Sequence, residues 1–184
     1  DHCVDYAYIV LNRWDQGVGK IPELQVYGPK GTRKMTDLLF SEEGAFGPDL
    51  AARRSHPGSH FVYEKRGGVL PRLRPDPRVT EVEDSSAAGG NGWSLRVAEV
   101  VHCPPLITLA YRLDMDDCSV VFGADTAPTP GLTKLAEGAD VLLHMCHLIN
   151  NVETDERITD CVSGHLDAAT TAKEAGVKTL VLVH

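Results

Sequence analysis

Apolar, β-branched runs that each lead into one polar residue recur through the second half of this chain. The runs and the polar residues that follow them are Val97–Val101 with His102, Cys118–Phe122 with Asp125, and Thr179–Val183 with His184. Such runs predict strands, and a polar residue that follows a strand lies at the edge of its sheet. Helical patterns alternate with these runs, so the order of elements predicts an α/β fold with all three polar residues at one edge.

A fourth polar residue joins this set at the start of a helix. His165 lies in a Ser-Gly-His-Leu-Asp segment that leads into a predicted helix over 167–175, which Gly176 ends. Each residue alone has an ordinary alternative role, such as a structural hydrogen bond for His102 or a turn cap for Asp125. Together, imidazole and carboxylate groups at one sheet edge are ligand types for zinc or a similar divalent metal.

Composition narrows the class of protein. The 184 residues suffice for one domain with a sizeable core, and no apolar run is long enough to cross a membrane. A net charge of −8 argues against a nucleic-acid surface. Five cysteines, an odd number, fit a reducing, cytoplasmic compartment. Basic residues gather between Arg53 and Arg78, and we interpret them as a solvated loop in preference to a phosphate-binding patch.

The motifs resemble the metallo-β-lactamase superfamily, and within it the ribonuclease Z and arylsulfatase-like metallohydrolases. The segments that carry the resemblance are Asp1-His2, Val-x-His102, Gly-Ala-Asp125-Thr, Gly-His165, Leu-x-Leu-x-His184, Val26-Tyr27-Gly28-Pro29-x-Gly31-Thr32 and Ala110-Tyr111-Arg112. The resemblance implies an αββα sandwich over residues 1–184. The family signature begins His-x-His-x-Asp-His and only its final Asp-His is present, so we expect a domain that is incomplete at its N-terminus.

The resemblance also implies a role for each matched residue. Asp1, His2 and His184 would bind one metal, and Asp1 would count with His165 among the catalytic residues. Asp125 would bridge both metals, while His102 would join the absent His pair on the second. His165 would be the non-ligand histidine that donates a proton to the leaving group. The expected cofactors are two divalent ions, zinc first, with manganese or iron as alternatives. Such a pair lowers the pKa of a bridging water toward about 7, which makes hydroxide available.

The sequence departs from the ribonuclease Z pattern in two places, one that bears on a proton relay and one that bears on the substrate. His144-Met145-Cys146-His147 replaces His-Glu-Ala-Thr, so the Glu of any relay is lost. His144 and His147 are spaced like one helical turn, and an accessory substrate or metal role competes with a local structural one. The resemblance also implies a tRNA-binding arm between His102 and Asp125, where this chain has only a short acidic segment.

We therefore predict a dinuclear metal-dependent hydrolase that cleaves a phosphodiester or related ester of a small molecule. A homodimer fits this class, and neither tRNA nor a membrane is an expected partner. The alternatives are a tRNA 3′-processing endoribonuclease, an arylsulfatase or lactonase, and a metal-deficient, non-catalytic homologue.

Overall fold

The computed structural model describes residues 2–150, 152 and 155–184. The chain divides into two compact units, Asp1–Glu81 and Val82–His184. We describe each unit by itself, and the expectation of one domain over residues 1–184 stays a prediction. Among the described residues, none of the helices combines the length and the apolar character needed to cross a bilayer.

The first unit is mainly helical. Its elements are α1 (Val4–Gly17), β1 (Gln25–Gly28), α2 (Thr32–Phe40), α3 (Gly47–Ser55), α4 (Pro57–Lys65) and β2 (Arg78–Glu81). Strands β1 and β2 pair in parallel. Val10, Phe40 and Leu50 form its buried core, so α1, α2 and α3 each contribute one apolar side chain to the same cluster.

Two local sequence patterns in this unit do not match the structure. Residues 60–63 have a strand-like pattern but are part of α4, because Pro57 occupies a favoured first-turn position and the His56 ring accepts a hydrogen bond from the Gly58 N–H. Thr32 is a residue type that often caps a helix, but the N-cap of α2 is Gly31, with φ 102°. The Thr32 hydroxyl instead donates to the Pro29 carbonyl at 2.6 Å.

The second unit is built on a six-stranded sheet in the order β3-β4-β5-β6-β7-β8. Its elements are β3 (Ala87–Gly90), β4 (Trp93–Val100), β5 (Thr108–Met115), β6 (Ser119–Phe122), α5 (Pro130–Ala136), β7 (Val141–Met145), α6 (Glu156–Thr159), α7 (His165–Ala175) and β8 (Thr179–Val183). The strands predicted before His102, Asp125 and His184 are confirmed, and β4, β5 and β6 form an antiparallel meander. Helices α5 and α7 contribute Leu132 and Ala172 to a core that includes Val121 and Leu142 of the sheet.

Strand direction brings four strand ends to one edge. Strands β3 to β6 pair antiparallel, and β6, β7 and β8 pair in parallel. Therefore β4, β6, β7 and β8 run in the same direction, and the residues that follow them meet at one edge, as predicted. The continuous apolar run of β8 is typical of a strand that is buried on both faces. That expectation is wrong here, because β8 is the last strand in the sheet order, and Val181 and Leu182 are exposed.

Candidate metal-dependent active site

His102 lies just beyond the end of β4, and a backbone carbonyl fixes its ring. Its Nδ1 donates to the carbonyl oxygen of Cys161 at 2.8 Å. A neutral imidazole that carries its proton on Nδ1 has its lone pair on Nε2. A histidine Nδ1–H held by a backbone carbonyl is the usual support of a metal-binding histidine. The local geometry therefore suits the ligand role predicted for His102.

Asp125 lies in a loop that three hydrogen bonds hold beside the other strand ends. The Ala127 N–H donates to the Val101 carbonyl at 2.7 Å, and the Ser163 hydroxyl donates to the Thr126 carbonyl at 2.6 Å. The Thr126 N–H donates to the Met145 sulfur at 3.3 Å. These contacts tie the Asp125 loop to the His102 segment, to β7 and to the start of α7. They hold the Asp125 loop at the same sheet edge as the predicted histidines.

His184 and Asp125 face each other at this edge. His184 Nε2 lies 3.8 Å from Asp125 Oδ2, and His184 Nδ1 lies 3.1 Å from His147 Nδ1. Residues 145 and 183 are paired across β7 and β8, and the Cys146 N–H donates to the Val183 carbonyl at 2.8 Å. The two histidines that follow are therefore neighbours because their strands are.

His165 begins α7 with its ring oriented by a backbone amide. The Asn150 N–H donates to His165 Nδ1 at 3.3 Å, so the neutral ring carries its proton on Nε2. The Asn150 side chain accepts from the Leu166 N–H at 2.7 Å and donates to Asp167 Oδ2 at 2.7 Å. Asp167 also accepts from the Gly164 N–H at 2.8 Å. This network fixes the helix start and leaves the Nε2–H of His165 as a hydrogen-bond donor.

The helical-turn interpretation of His144 and His147 is wrong. Strand β7 continues through Met145, so His144 lies within the strand and is 0% exposed. Its Nδ1 donates to the Met145 carbonyl at 2.9 Å. Burial lowers the pKa of His144, although this hydrogen bond and the charge of Asp167 oppose the shift. His144 therefore favours the neutral form, whereas His147 is exposed beside His184.

The described side chains fit a metal site in their chemistry and would supply part of its ligands. Asp125 and His184 pair one carboxylate with one imidazole, and His102 supplies another imidazole. In the described part of the chain, no group of three or more His, Cys, Asp or Glu side chains is close enough to hold an ion. Asp1 lies outside the described residues, and His2 belongs to the first unit.

Sequence reasoning missed the residues that support this site. Their contacts run through backbone atoms, as with the Cys161 carbonyl on His102 and the Asn150 amide on His165. The one available signal was the Gly-His-Leu-Asp segment, since an acid three residues after Gly164 is a common helix-start pattern. Nothing in the spacing indicated that His147 would contact His184.

The sequence is similar to curated ribonuclease Z proteins. It is 31% identical over 191 residues to ribonuclease Z from Mycobacterium marinum (strain ATCC BAA-535 / M), covering 100% of this chain and 63% of that protein. It is 30% identical to a shorter protein, predicted to be a ribonuclease Z, from Mycobacterium tuberculosis (strain CDC 1551 / Oshkosh), covering 100% of this chain and 79% of that protein. The chain thus spans less than two thirds of the M. marinum relative. No protein-family model matches it.

Solved structures share the fold. The metallo-β-lactamase fold protein YhfI from Bacillus subtilis matches with a TM-score of 0.66 and 17% identity, over 100% of this chain and 60% of that one. The short form of human tRNase Z matches with a TM-score of 0.56 and 18% identity, over 91% of this chain and 61% of that one. The fold is thus the metallo-β-lactamase fold, and the chain belongs to the ribonuclease Z family of that superfamily.

Proposed function

We propose that this chain carries part of a metal-dependent phosphodiesterase site of the ribonuclease Z type, which hydrolyses RNA at the 3′ end of tRNA precursors. The observation that carries the proposal is the arrangement of His102, Asp125, His165 and His184 around one sheet edge, in a chain of this family.

The proposed roles follow from the atoms that each residue presents. His102, Asp125 and His184 would hold divalent ions, together with Asp1 and His2. When bound, such ions supply Lewis-acid stabilisation of phosphoryl oxygens and lower the pKa of water. His165 would present an Nε2–H, since its Nδ1 accepts from the Asn150 N–H, and would donate a hydrogen bond from it to the leaving oxygen as negative charge develops there.

A small-molecule phosphodiester is the second candidate substrate, and one observation favours it. Strands β5 and β6 are joined by a tight turn, in which the Met115 N–H donates to the Cys118 carbonyl at 2.8 Å. Asp116 and Asp117 occupy this turn. The stretch between His102 and Asp125 therefore holds a short acidic hairpin in place of the tRNA-binding arm that the family resemblance implies.

A substrate comparison tests the proposal. Protein produced from the complete coding sequence is assayed on a tRNA precursor with a 3′ trailer and on bis(p-nitrophenyl) phosphate. Cleavage at the tRNA 3′ end that a chelator abolishes is the expected result. Turnover of bis(p-nitrophenyl) phosphate with an intact tRNA precursor would move the assignment to the small-molecule substrate. If both activities persist in the presence of the chelator, metal dependence is contradicted for both substrates.

A further inference from the structure

Three arginines of the first unit converge on one carboxylate. Asp15, in α1, accepts from Arg53 Nη1 at 2.9 Å, from Arg66 Nη1 at 3.0 Å and from Arg72 Nη2 at 2.9 Å. These arginines come from α3, from the residue that follows α4 and from the loop before β2. We call Asp15, Arg53, Arg66 and Arg72 the arginine cluster. The interpretation of this region as a solvated loop is therefore wrong in part: Arg53 lies in a helix and Arg72 is buried, whereas Arg66 is exposed.

Arg72 is the structural member of the arginine cluster. Its side chain is 5% exposed, and its guanidinium carbon lies 3.8 Å from the centroid of the Trp14 ring and 5.0 Å from that of Tyr63. Contacts of this kind favour a cation over an aromatic face. Burial alone would raise the pKa of Asp15, but hydrogen bonds from Arg72 and Arg66 and the charge of Arg53 lower it. The Arg72–Asp15 pair is thus a buried, ionised anchor.

Arg53 and Arg66 form the outer edge of the arginine cluster, with side chains 43% and 45% exposed. Each guanidinium has five N–H donors, and Asp15 engages one nitrogen of each. The shared carboxylate holds both groups in place, which reduces the conformational entropy that binding would otherwise cost. The edge is therefore preorganised for an anion that accepts several hydrogen bonds.

The arginine cluster carries more positive charge than its one carboxylate neutralises: three guanidinium groups meet Asp15, which leaves a surplus of two positive charges. Two groups of opposite charge lie at its edge and offset each other. Lys20 Nζ lies 3.5 Å from the Arg66 carbonyl, and Asp49 lies 3.8 Å from Arg53 Nε. This surplus stands out in a chain with a net charge of −8. An external anion would relieve the mutual repulsion of these groups.

We infer that Arg53 and Arg66 form a binding site for the phosphate backbone of RNA on the first unit. The inference rests on the proposed function, because it takes RNA as the substrate class. Guanidinium groups match the geometry of phosphate oxygens and bind them through paired hydrogen bonds. Two arginines held by one carboxylate would contact successive phosphates of a strand and add affinity without reading its bases.

The test is RNA binding by fluorescence anisotropy, with a labelled tRNA precursor and a chelator present so that no cleavage occurs. Arg53→Gln and Arg66→Gln are each expected to weaken binding by roughly 3-fold to 10-fold at low salt. Each is also expected to reduce the slope of log affinity against log salt by about 1, as for the loss of one phosphate contact. Arg66→Lys keeps the charge and is expected to retain most of the slope.

Arg96→Gln is the matched control. Arg96 lies in the second unit, is 52% exposed and pairs with Asp114 at 3.0 Å, so its loss removes the same charge from a similar environment. Equal affinities and salt slopes for Arg53→Gln, Arg66→Gln and Arg96→Gln would overturn the inference. So would full displacement of the RNA by millimolar inorganic phosphate, which would indicate a site for a single anion.

The inference and the proposed function fail in distinguishable ways. Turnover of bis(p-nitrophenyl) phosphate by the unsubstituted protein reports the catalytic site without RNA. RNA binding that depends on Arg53 and Arg66, without any turnover, would support the RNA site and contradict the catalytic proposal. Turnover together with RNA binding that does not change in the Arg53 and Arg66 variants would support the catalytic proposal and contradict the RNA site.

Discussion

His147 and His184 contact each other through their Nδ1 atoms, which lie 3.1 Å apart. Their rings are nearly perpendicular, at 76°. Because two imidazole nitrogens at this distance share one proton, His184 can act as a ligand through Nε2 only when it donates from Nδ1 to His147. In that tautomer its Nε2 lone pair lies on the side of Asp125. His147 would thus act on the proposed metal site through His184.

Removing the His147 ring is therefore expected to weaken metal binding. Loss of such a supporting group typically lowers metal affinity by about 10-fold to 100-fold. His147→Phe is expected to show this loss, and His147→Gln, which keeps a hydrogen-bond acceptor, is expected to recover part of it. Competition with a chromogenic chelator measures the affinity, and ¹⁵N chemical shifts of the His184 ring report its tautomer. Equal metal affinity in His147→Phe and the unsubstituted protein would contradict a role of His147 in metal binding.

The Nε2–H that His165 presents is expected to matter most for poor leaving groups. Removing one positioned hydrogen-bond donor to a developing oxyanion typically costs about 10²-fold to 10³-fold in kcat. His165→Ala should lose this factor on an RNA substrate, whose leaving oxygen develops a large negative charge. It should lose much less on bis(p-nitrophenyl) phosphate, whose leaving group is stable as an anion. The ratio of kcat values for the two substrates measures the effect, and an equal loss on both would argue against a contact between His165 and the leaving oxygen.

Asp140 links the start of β6 to the segment before β8. Lys178 Nζ lies 2.6 Å from its Oδ1, and the Ser119 N–H and hydroxyl donate to its Oδ2 at 2.7 and 2.9 Å. The hydrogen bond from Lys178, followed by those from Ser119, lowers the pKa of Asp140 from 3.8 to about 2. A lowered pKa in the folded state stabilises the fold above the unfolded value, and this contribution is lost as the pH falls through the folded value.

Asp140→Asn is accordingly expected to lower the free energy of unfolding at pH 7. The difference from the unsubstituted protein should shrink as the pH falls from about 4 to about 2, in the window that the shift defines. Urea titrations across that range measure it. Asp117→Asn, in the exposed β5–β6 turn, is the matched control and should change the stability little. A difference that stays constant with pH would contradict the assigned cause.

The difference in side-chain burial between β7 and β8 predicts where a cavity would lower the stability of the second unit. Leu142, in β7, is 0% exposed, whereas Leu182, in β8, is 49% exposed. Leu142→Ala should reduce the free energy of unfolding by about 2–5 kcal/mol, because its methyl groups leave a cavity. Leu182→Ala should change it by only about 0.5 kcal/mol. Denaturant unfolding of both variants measures these changes, and similar losses would refute the assigned burial.

The sheet and the positions of its polar residues followed from local patterns. The range predicted for β8 is the one observed, and His102, Asp125 and His184 follow the strands expected to deliver them. Alternating and β-branched runs are short-range signals, so sequence alone carries them. The exposure of β8 could not be predicted from the sequence. An apolar strand has the same sequence pattern whether or not a neighbouring element covers it.

The helices and contacts that were missed depend on tertiary context. Helix α4 begins at Pro57 within a segment rich in Pro, Gly and Arg, and its packing outweighs its weak helical pattern. The arginine cluster forms because Asp15 lies near three arginines that follow it by 38, 51 and 57 residues. Such separations leave no local signal. The His147–His184 contact, 37 residues apart, was missed for the same reason.

The metal content of the protein produced from the complete coding sequence tests the central claim most directly. Elemental analysis is paired with phosphodiester turnover before and after chelation, for the unsubstituted protein and for Asp125→Asn. The account predicts about two divalent ions per chain, turnover that chelation abolishes and metal restores, and fewer ions in Asp125→Asn. A protein that contains and takes up no divalent metal and hydrolyses no phosphodiester would contradict it, and His102, Asp125 and His184 would then be ordinary residues of a sheet edge.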